Sequence, residues 1–526
     1  MSACQTPSSA DGSLTPTSHT PSSLSGSSER VLIQVNPADI KAARDDIDAE
    51  KGSEYEIDSS IPVDWDGPDD PQNPMNWSVS RKWLAIGLIA FSSFNVSMVS
   101  TIFAPAVPLV LDEFGTHNSA ISSLMVSIYV MGAAVGPIFL TPFTEITGRL
   151  PITHAANVLF VVASAVGGGS VNMAMLIIAR FVMGIASSVP CTVGGGFIAD
   201  LMPMERRGRA MTIWTVGLLL GSITGPIFGG YMALSIGWRW TIWLEAVLGA
   251  FIAITSIIFL RETYHPTLLH RKAVQLQKTT GKPHTTIYKQ EQGRLSPGYI
   301  IRASISRPLK LLFLSPIVSS ISLFCSLAYS YMYILFTTFT SVFMNIYGFN
   351  AGEAGLAYLG LGLGFAVGQL TVGYFSDRHV QRQKARYGVM RPEDRLPPMA
   401  VGVFLIPVGL VWYGWSAEVR THWIVPIVGT FFVGVGIYYV TLVTQVYLVD
   451  AFTIYAASAI SAESSLRSVF GAVLPLAGPP LYARLGMGWG NTLLAFVAAA
   501  FAPASFLLIR YGERIRTNPR FQPKLA

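Results

Sequence analysis

Residues 217–230 read GLLLGSITGPIFGG, inside an apolar run that begins near Met211 and continues past Met232. Glycine and proline are the least favourable residues in a helix interior, by about 1 and 3 kcal/mol relative to alanine. Here Gly217, Gly221, Gly225 and Gly229 recur every four residues and share one helix face, with Gly230 beside them. A face without side chains lets a second helix approach backbone to backbone, the small-xxx-small mode of membrane helices. Pro226 removes one internal hydrogen bond and is expected to kink the helix. A close-packed, bent helix suits a sliding or sealing surface, and a purely structural ridge explains the spacing equally well.

Composition places this helix in a membrane. Of 526 residues 51% are hydrophobic and 13% charged, where soluble domains carry about 25% charge. The mean hydropathy is +0.47. The net charge of +6 comes from basic residues lying between apolar runs rather than in one patch, so no nucleic-acid partner is expected. Cys4, Cys191 and Cys325 are scattered and define neither a disulfide framework nor a metal site.

Residues 1–80 are polar, and the first thirty are dominated by Ser, Thr, Pro and Gly. Such a segment buries too little apolar area to offset its ordering entropy and is expected to be a disordered cytoplasmic region. With no apolar core near the start, no cleavable signal peptide is expected. From Trp83 onward, apolar runs of membrane-spanning length follow at 83–108, 119–141, 152–171, 175–199, 210–234, 240–260, 314–342, 353–375, 398–416, 423–449, 455–482 and 489–511. The expected fold is an all-α membrane protein of about twelve helices. Its parts are a six-helix bundle over 83–260, a central loop over 261–310, a second six-helix bundle over 311–511, and a tail over 512–526.

Arg206, Arg207 and Arg209 follow the fourth run, ten Lys and Arg residues fill the loop after the sixth, and six follow the eighth, from Arg378 to Arg395. The alternate connections hold Arg239, Arg420 and Arg484 at most singly. Positive charge stays inside, so both termini are expected in the cytoplasm. The sequons at Asn76 and Asn95 then lie in a cytosolic flank and within a span, away from glycosylation. Six spans on each side of a long basic loop suggest two halves rocking about a central site.

LIIARFVMG at 176–184 places Arg180 in an apolar helix, where a cation costs from about 2.5 to more than 10 kcal/mol. It must face a wet cavity or a partner, or snorkel to the headgroups from near a helix end. Embedded carboxyls are few, and the first span has none. Glu245 is either a proton site or an interfacial residue beside Trp240 and Trp243. Glu463 stands four residues before Arg467, on the same helix face, and is either a structural ion pair or a substrate or proton site. Tyr329, Tyr333, Tyr438 and Tyr439 lie in the seventh and tenth spans and are candidates for a cavity that holds rings or cations. There is no phosphate-binding G-x-x-x-x-G-K-[ST] and no His/Cys/acid cluster of metal-ligand spacing. GLGLG at 360–364 is membrane-embedded and lacks a preceding strand. Neither an enzyme, a cofactor nor a metal is expected.

These stretches resemble the major facilitator superfamily. GSITGPIFGG at 221–230 is similar to the G-x-x-x-G-P-x-x-G-G antiporter motif of its drug:proton antiporters, carried by Gly221, Gly225, Pro226, Gly229 and Gly230. LIIARFVMG is similar to the R-x-x-x-G motif of helix four, with Arg180 and Gly184. GYFSDR at 373–378 matches G-x-x-x-D-R through Gly373, Asp377 and Arg378. DPQNPMNWSVSRKW at 70–83, IFAPAVPLV at 102–110, RETYHPTLLHRKA at 261–273 and RPLKLLFLSPIV at 307–318 resemble its fungal twelve-helix branch. The first-half loop TPFTEITGRLP at 141–151 departs from G-x-L-x-D-R-x-G-R-[RK]: Thr141 stands for glycine, Glu145 for aspartate, Ile146 for arginine and Leu150 for the last basic residue, while Gly148 and Arg149 remain.

The resemblance implies a proton-driven exporter of hydrophobic or cationic small molecules: drugs, toxins or fungal secondary metabolites. It further implies a gating latch in which Glu145 faces a helix N-terminus and Arg149 pairs with Asp200. A monomer in the plasma membrane is implied, with the vacuolar membrane as the alternative. The same fold would permit proton symport of a polyamine or nutrient. A non-transporting sensor would be expected to carry a longer structured tail than the residues after Arg510.

Overall fold

A computed structural model describes residues 61–518 except 68, 117, 287–296, 389–390 and 453–455. The expected disorder of residues 1–60 therefore lies outside the described residues. The elements, in chain order, are β1 (Ile61–Val63), α1 (Val79–Ile102), α2 (Val107–Glu113), α3 (Ser119–Thr147), α4 (Arg149–Gly168), α5 (Met173–Leu201), α6 (Met204–Ser235) and α7 (Arg239–Phe259). After these come α8 (His265–Thr280), β2 (His284–Thr286), α9 (Pro297–Leu314), α10 (Pro316–Tyr347), α11 (Ala351–Ala357) and α12 (Leu359–Tyr387). The last five are α13 (Met399–Glu418), α14 (Ile424–Phe452), α15 (Ala456–Val473), α16 (Gly478–Ala500) and α17 (Ala502–Thr517).

Eleven helical runs among the described residues are long and apolar enough to cross a membrane. The last of them, Ser458–Thr517, is 60 residues, about 90 Å if straight. It folds back at Gly486, whose φ of 72° and ψ of 177° are not helical, bringing the Tyr482 hydroxyl to 3.0 Å from Asn491 Oδ1. Two passes fit in this run.

The packing repeats after six passes. In the first half α1 lies along α6, α3 along α5, and α4 along α5 and α7. In the second, α10 lies along α15, α12 along α14, and α13 along α14 and α16. The halves meet where α3 packs on α15 and where α11 and α12 pack on α6. Each crossing pairs a second pass of one half with a fifth pass of the other, which is what a twofold axis between repeats requires.

The glycine ridge has its explanation here. A Cβ on Gly217, Gly221 or Gly229 would fall on the Ala90, Phe94 or Ile102 carbonyl oxygen of α1, and one on Gly225 on the Thr101 hydroxyl. Ser97 and Ser222 share a hydroxyl hydrogen bond of 2.6 Å along the same seam. The ridge is therefore internal to the first bundle. Gly230 and Pro226 alone of the motif's fixed residues turn to the other half, where they back onto Ala351 and Gly355 of α11. The helix continues from Met204 to Ser235 through Pro226.

Residues 61–78, read from composition as part of the disordered region, carry structure. β1 pairs in parallel with β2, with Ile61 opposite His284 and Val63 opposite Thr286. Lys272 of α8 holds Asp66 at 2.8 Å and Asp70 at 3.1 Å. Trp65 meets the His265 ring edge-on at 5.7 Å.

Candidate functional site

Buried charge collects on both sides of the contact between the halves. In α5, Arg180 is fully buried, with 0% exposure, which removes the snorkelling alternative. Its Nε donates to the Met125 carbonyl at 2.9 Å and its Nη2 to that of Val99 at 3.4 Å. Its guanidinium lies 4.2 Å from the Phe103 ring centre. The third nitrogen, Nη1, has no hydrogen-bond partner among the described residues.

Glu245 of α7 is equally buried, and neither carboxyl oxygen has a hydrogen-bond partner among the described residues. Arg180 is the charge that acts on it. Trp240 and Trp243, 54% and 38% exposed, stand on the outer face of α7, away from the carboxyl. Glu245 shares the opposite face with Thr241, Gly249 and Ser256. A buried carboxyl without hydrogen bonds, beside one guanidinium, is a place where a proton can be held and given up.

Tyr129 of α3 leads from this pair towards the second half. Its hydroxyl donates to the Val96 carbonyl at 3.0 Å, and it interacts with Arg180 and Glu245 on one side and with Tyr333 of α10 on the other. Tyr333 in turn meets Tyr329, with ring centres 5.0 Å apart and hydroxyls at 3.5 Å. Tyr329 carries the Arg467 guanidinium 4.5 Å from its ring centre. Arg467 of α15 pairs with Glu463 at 3.1 Å, and its Nη2 donates to the Ser464 hydroxyl at 3.1 Å. The Arg467 charge is felt by Cys191 of α5 in the first half and by Tyr438 of α14 in the second.

Candidates from scattered stretches of sequence thus form one ribbon: Glu245, Arg180, Tyr333, Tyr329, Arg467 and Glu463, with Tyr438 beside it. Tyr439 stands apart. Its hydroxyl donates to Thr371 at 3.1 Å and its Cβ packs on Gly402, inside the second bundle.

A second cluster lies at one end of the first bundle. Gly148 has a φ of 100°, in the left-handed region, and a Cβ there would strike the Glu262 carboxylate. That carboxylate caps α4, accepting from the Arg149 and Leu150 amides at 3.1 Å each. Arg149 pairs with Asp200 at 2.7 Å, and the Thr263 hydroxyl donates to Asp200 at 3.1 Å. The side chains of Glu145 and Asp377 lie outside the described residues. Arg378 is exposed, its Nη1 donating to the Tyr374 hydroxyl at 2.7 Å, and Gly373 has open space around it. The second half's analogue of the Arg149–Asp200 pair is instead Arg395–Asp450 at 2.9 Å, six passes later.

The Major Facilitator Superfamily profile matches residues 89–475. The chain belongs to the major facilitator superfamily. Among curated relatives, the efflux pump radE of Floropilus chiversii is 43% identical over 474 residues, covering 90% of this chain and 88% of its own. The MFS-type transporter penM of Penicillium rubens is 42% identical over 490 residues, covering 93% and 94%, and hepF of Aspergillus oryzae 43% over 468 residues, covering 88% and 95%. Solved structures share the fold. The xylose transporter XylE from E. coli in a partially occluded inward-open conformation gives a TM-score of 0.58 at 16% identity, over 81% of this chain and 98% of that one. A bacterial homologue of the human lysosomal transporter Spinster gives 0.60 at 15%, over 84% and 100%. This chain is a multi-pass membrane transporter, not an enzyme.

Within the superfamily fold, sequence reading passed over Tyr129 and Glu262 and gave Cys191 no role. Tyr129 has no motif, and its place becomes visible only once α3 is set against α10. Glu262 was within reach: it stands in RETYHPTLLHRKA, right after the sixth span, where a carboxylate can meet a helix N-terminus.

Proposed function

We propose that this transporter exports small hydrophobic molecules, among them fungal secondary metabolites, in exchange for protons. It sits in the plasma membrane with both termini cytoplasmic and works as a monomer. The observation that carries this reading is the pair of buried arginine–glutamate sites joined by tyrosines across the contact between the halves. Glu245 is the proton site, and Arg180 holds it when it is charged. Substrate takes the second-half end of the ribbon, at Tyr329, Tyr333 and Tyr438.

Of the range from hydrophobic to cationic substrates, the geometry favours hydrophobic ones bearing hydrogen-bond acceptors. Arg467 already covers the ring face of Tyr329 that a cation would use. Its side chain is 17% exposed and that of Glu463 0%, so the guanidinium, not the carboxylate, fronts the site. Arg149–Asp200 and Arg395–Asp450 act as latches at the cytoplasmic end, one in each half. A potential of about 150 mV with a pH difference of about one supplies about 5 kcal/mol per proton, enough for a substrate gradient of roughly three to four powers of ten.

The test is retention of Nile red, which is neutral, and rhodamine 6G, a cation, in yeast lacking its own drug exporters. Cells express the wild type, Arg180→Ala or Glu245→Gln at matched surface levels, with and without a protonophore. Lower Nile red retention in the wild type, abolished by the protonophore and by both variants, is expected. Export that persists after the pH gradient and the potential are both collapsed would sink proton coupling.

A further inference from the structure

The first bundle contains a cavity that belongs to neither the ribbon nor the contact between the halves. It has two narrow, water-sized lobes that share Ser92, Asn157 and Pro190. The lobe nearer the membrane centre adds Asn95, Ser187 and Gly249. The other adds Thr153, Ser256 and Leu260. A dry cavity is lined by apolar groups, whereas a cavity that holds water offers each molecule two to four polar partners. Both lobes set a few polar groups in otherwise apolar walls. Asn95 is 4% exposed and its Oδ1 has no hydrogen-bond partner among the described residues. The amide of Asn157 donates to the Ser256 hydroxyl at 3.1 Å, and Ser256 lies 3.4 Å from the His154 ring.

Its ends give the cavity a direction. Glu245, Gly249, Ile252 and Ser256 follow one face of α7, so the near lobe begins one turn below the unpartnered carboxyl. Ser187 and Val96 in its wall are also the neighbours of the Tyr129 hydroxyl. At the other end Thr153, Phe197 and Leu260 line the wall about one turn from Arg149, Asp200 and Glu262, where the Thr153 hydroxyl donates to the Arg149 carbonyl at 2.7 Å.

We propose that this cavity is a water-filled proton route inside the first bundle, joining Glu245 to the cytoplasmic side without using the space between the halves. The step is a relay. The Glu245 carboxyl loses its proton to the first water, each water passes one on along the hydroxyl and amide wall, and a proton leaves to bulk water at the Arg149–Asp200–Glu262 end. The carboxylate left behind is held by Arg180. The charged or titratable groups facing Glu245 are Arg180 of α5 and Tyr129 of α3, and His154 stands beside the far lobe. Substrate and proton then travel by separate paths and meet only at the tyrosine ribbon. This inference rests on the proton-coupled reading for its purpose, but hydration of the cavity does not.

The experiment uses Ag⁺, an ion small enough for a narrow cavity, which replaces the proton of a cysteine thiol. Ser256→Cys, Ser92→Cys and, as a buried control outside the cavity, Ala163→Cys are placed in a full-length chain whose three native cysteines are replaced. Vesicles of each orientation are exposed to silver nitrate, then unfolded and labelled with a fluorescent maleimide, so that lost labelling reports silver access. With Ag⁺ on the cytoplasmic face, the thiol of Ser256→Cys and then that of Ser92→Cys are expected to be blocked at least tenfold faster than that of Ala163→Cys. Rates equal to the control, or block from the opposite face only, would overturn the proposal. In a second arm Asn157→Leu is expected to lower proton-driven Nile red efflux at least tenfold and leave dye-for-dye exchange intact. Efflux unchanged by this variant would overturn the route even if the cavity is wet. Silver access in a protein that exports no dye would leave the cavity standing and remove the export reading instead.

Discussion

The two arginine–glutamate sites use the same residue types and hold them differently. Arg467 and Glu463 sit on one helix, four residues apart and in direct contact at 3.1 Å, with Tyr329 stacked on the guanidinium. Arg180 and Glu245 come from different helices and make no ion-pair contact among the described residues, while neither Glu245 nor Glu463 has a hydrogen bond to its carboxyl there. A contacting pair on one helix keeps its geometry whatever the halves do. A pair held apart across α5 and α7 changes energy whenever those helices shift or a proton arrives. The first arrangement suits a fixed recognition surface and the second a titrating one.

The sharpest way to break this contrast is to neutralise each carboxyl in turn. Glu245→Gln is expected to reduce proton-driven efflux by more than about 100-fold while dye-for-dye exchange continues. Glu463→Gln is expected to keep full sensitivity to the protonophore and to raise the substrate KM about tenfold, because it leaves Arg467 without its counter-charge. Efflux assays at several pH values, in vesicles of matched protein content, decide between them. If Glu463→Gln abolishes coupling and Glu245→Gln changes only KM, the roles are exchanged.

The glycine ridge predicts an effect of a different kind. Gly221→Leu and Gly229→Leu drive a side chain into the α1 backbone, with overpacking costs of about 1–3 kcal/mol or more, so surface expression should fall severalfold. Gly373→Leu, in open space, should express as the wild type. Equal expression of all three would mean that the ridge is not the close contact described.

That glycine period was legible because close approach needs it at fixed spacing, and the Glu463–Arg467 contact because four residues make one helical turn. Apolar length located most helices to within several residues, but the helix of the eighth run, expected to end at 375, continues to Tyr387. Burial of Glu245 was harder to read, because lipid-facing and core-facing residues are both apolar and hydrophobicity does not separate the faces. The signal lay in size and polarity: Trp240, Trp243, Val247, Phe251 and Ile254 lie towards lipid, while Thr241, Glu245, Gly249 and Ser256 turn inward. Tyr129, Cys191 and the Asp70–Lys272 contact join residues far apart in the chain. Their pairing depends on how the helices are stacked, which no local pattern encodes.

The two latch pairs allow a finer test. Asp200→Asn and Asp450→Asn each leave an arginine with a neutral partner at 2.7 and 2.9 Å. Asp200 also anchors Thr263 beside the Glu262 cap, so its variant should change the efflux rate severalfold and that of Asp450 about twofold. Equal effects would show that the two halves contribute alike despite the extra bonds in the first.

The smallest effect belongs to the clasp of residues 61–70 on α8. Burial pushes the Asp70 carboxyl up, but the Asp66 and Gln72 amides and the Lys272 ammonium outweigh it and hold it below its ordinary 3.8. Burial likewise lowers Lys272, yet its bonds to Asp66 and Asp70 and their charges set it above its ordinary 10.5. The depressed acid stabilises the clasp above pH 3.8 and loses that only as pH falls through its lower folded value. The raised base stabilises it below pH 10.5 and loses that only as pH climbs beyond. His265 runs the other way: burial first, and the Arg149 charge second, hold its imidazole below the usual 6.5, so the folded form disfavours its proton. Clasp stability should therefore be flat from about pH 7 to 9 and weaken as pH falls below 6.5. Amide exchange at Ile61 and Val63, corrected for intrinsic rates, should quicken on that acid side in the wild type and stay flat to about pH 4.5 in His265→Gln. Lys272→Met should speed it about tenfold at every pH, equivalent to about 1.4 kcal/mol. An acid-side change that survives in His265→Gln would place the titration on another group and leave the Asp70 carboxylate as the one to replace.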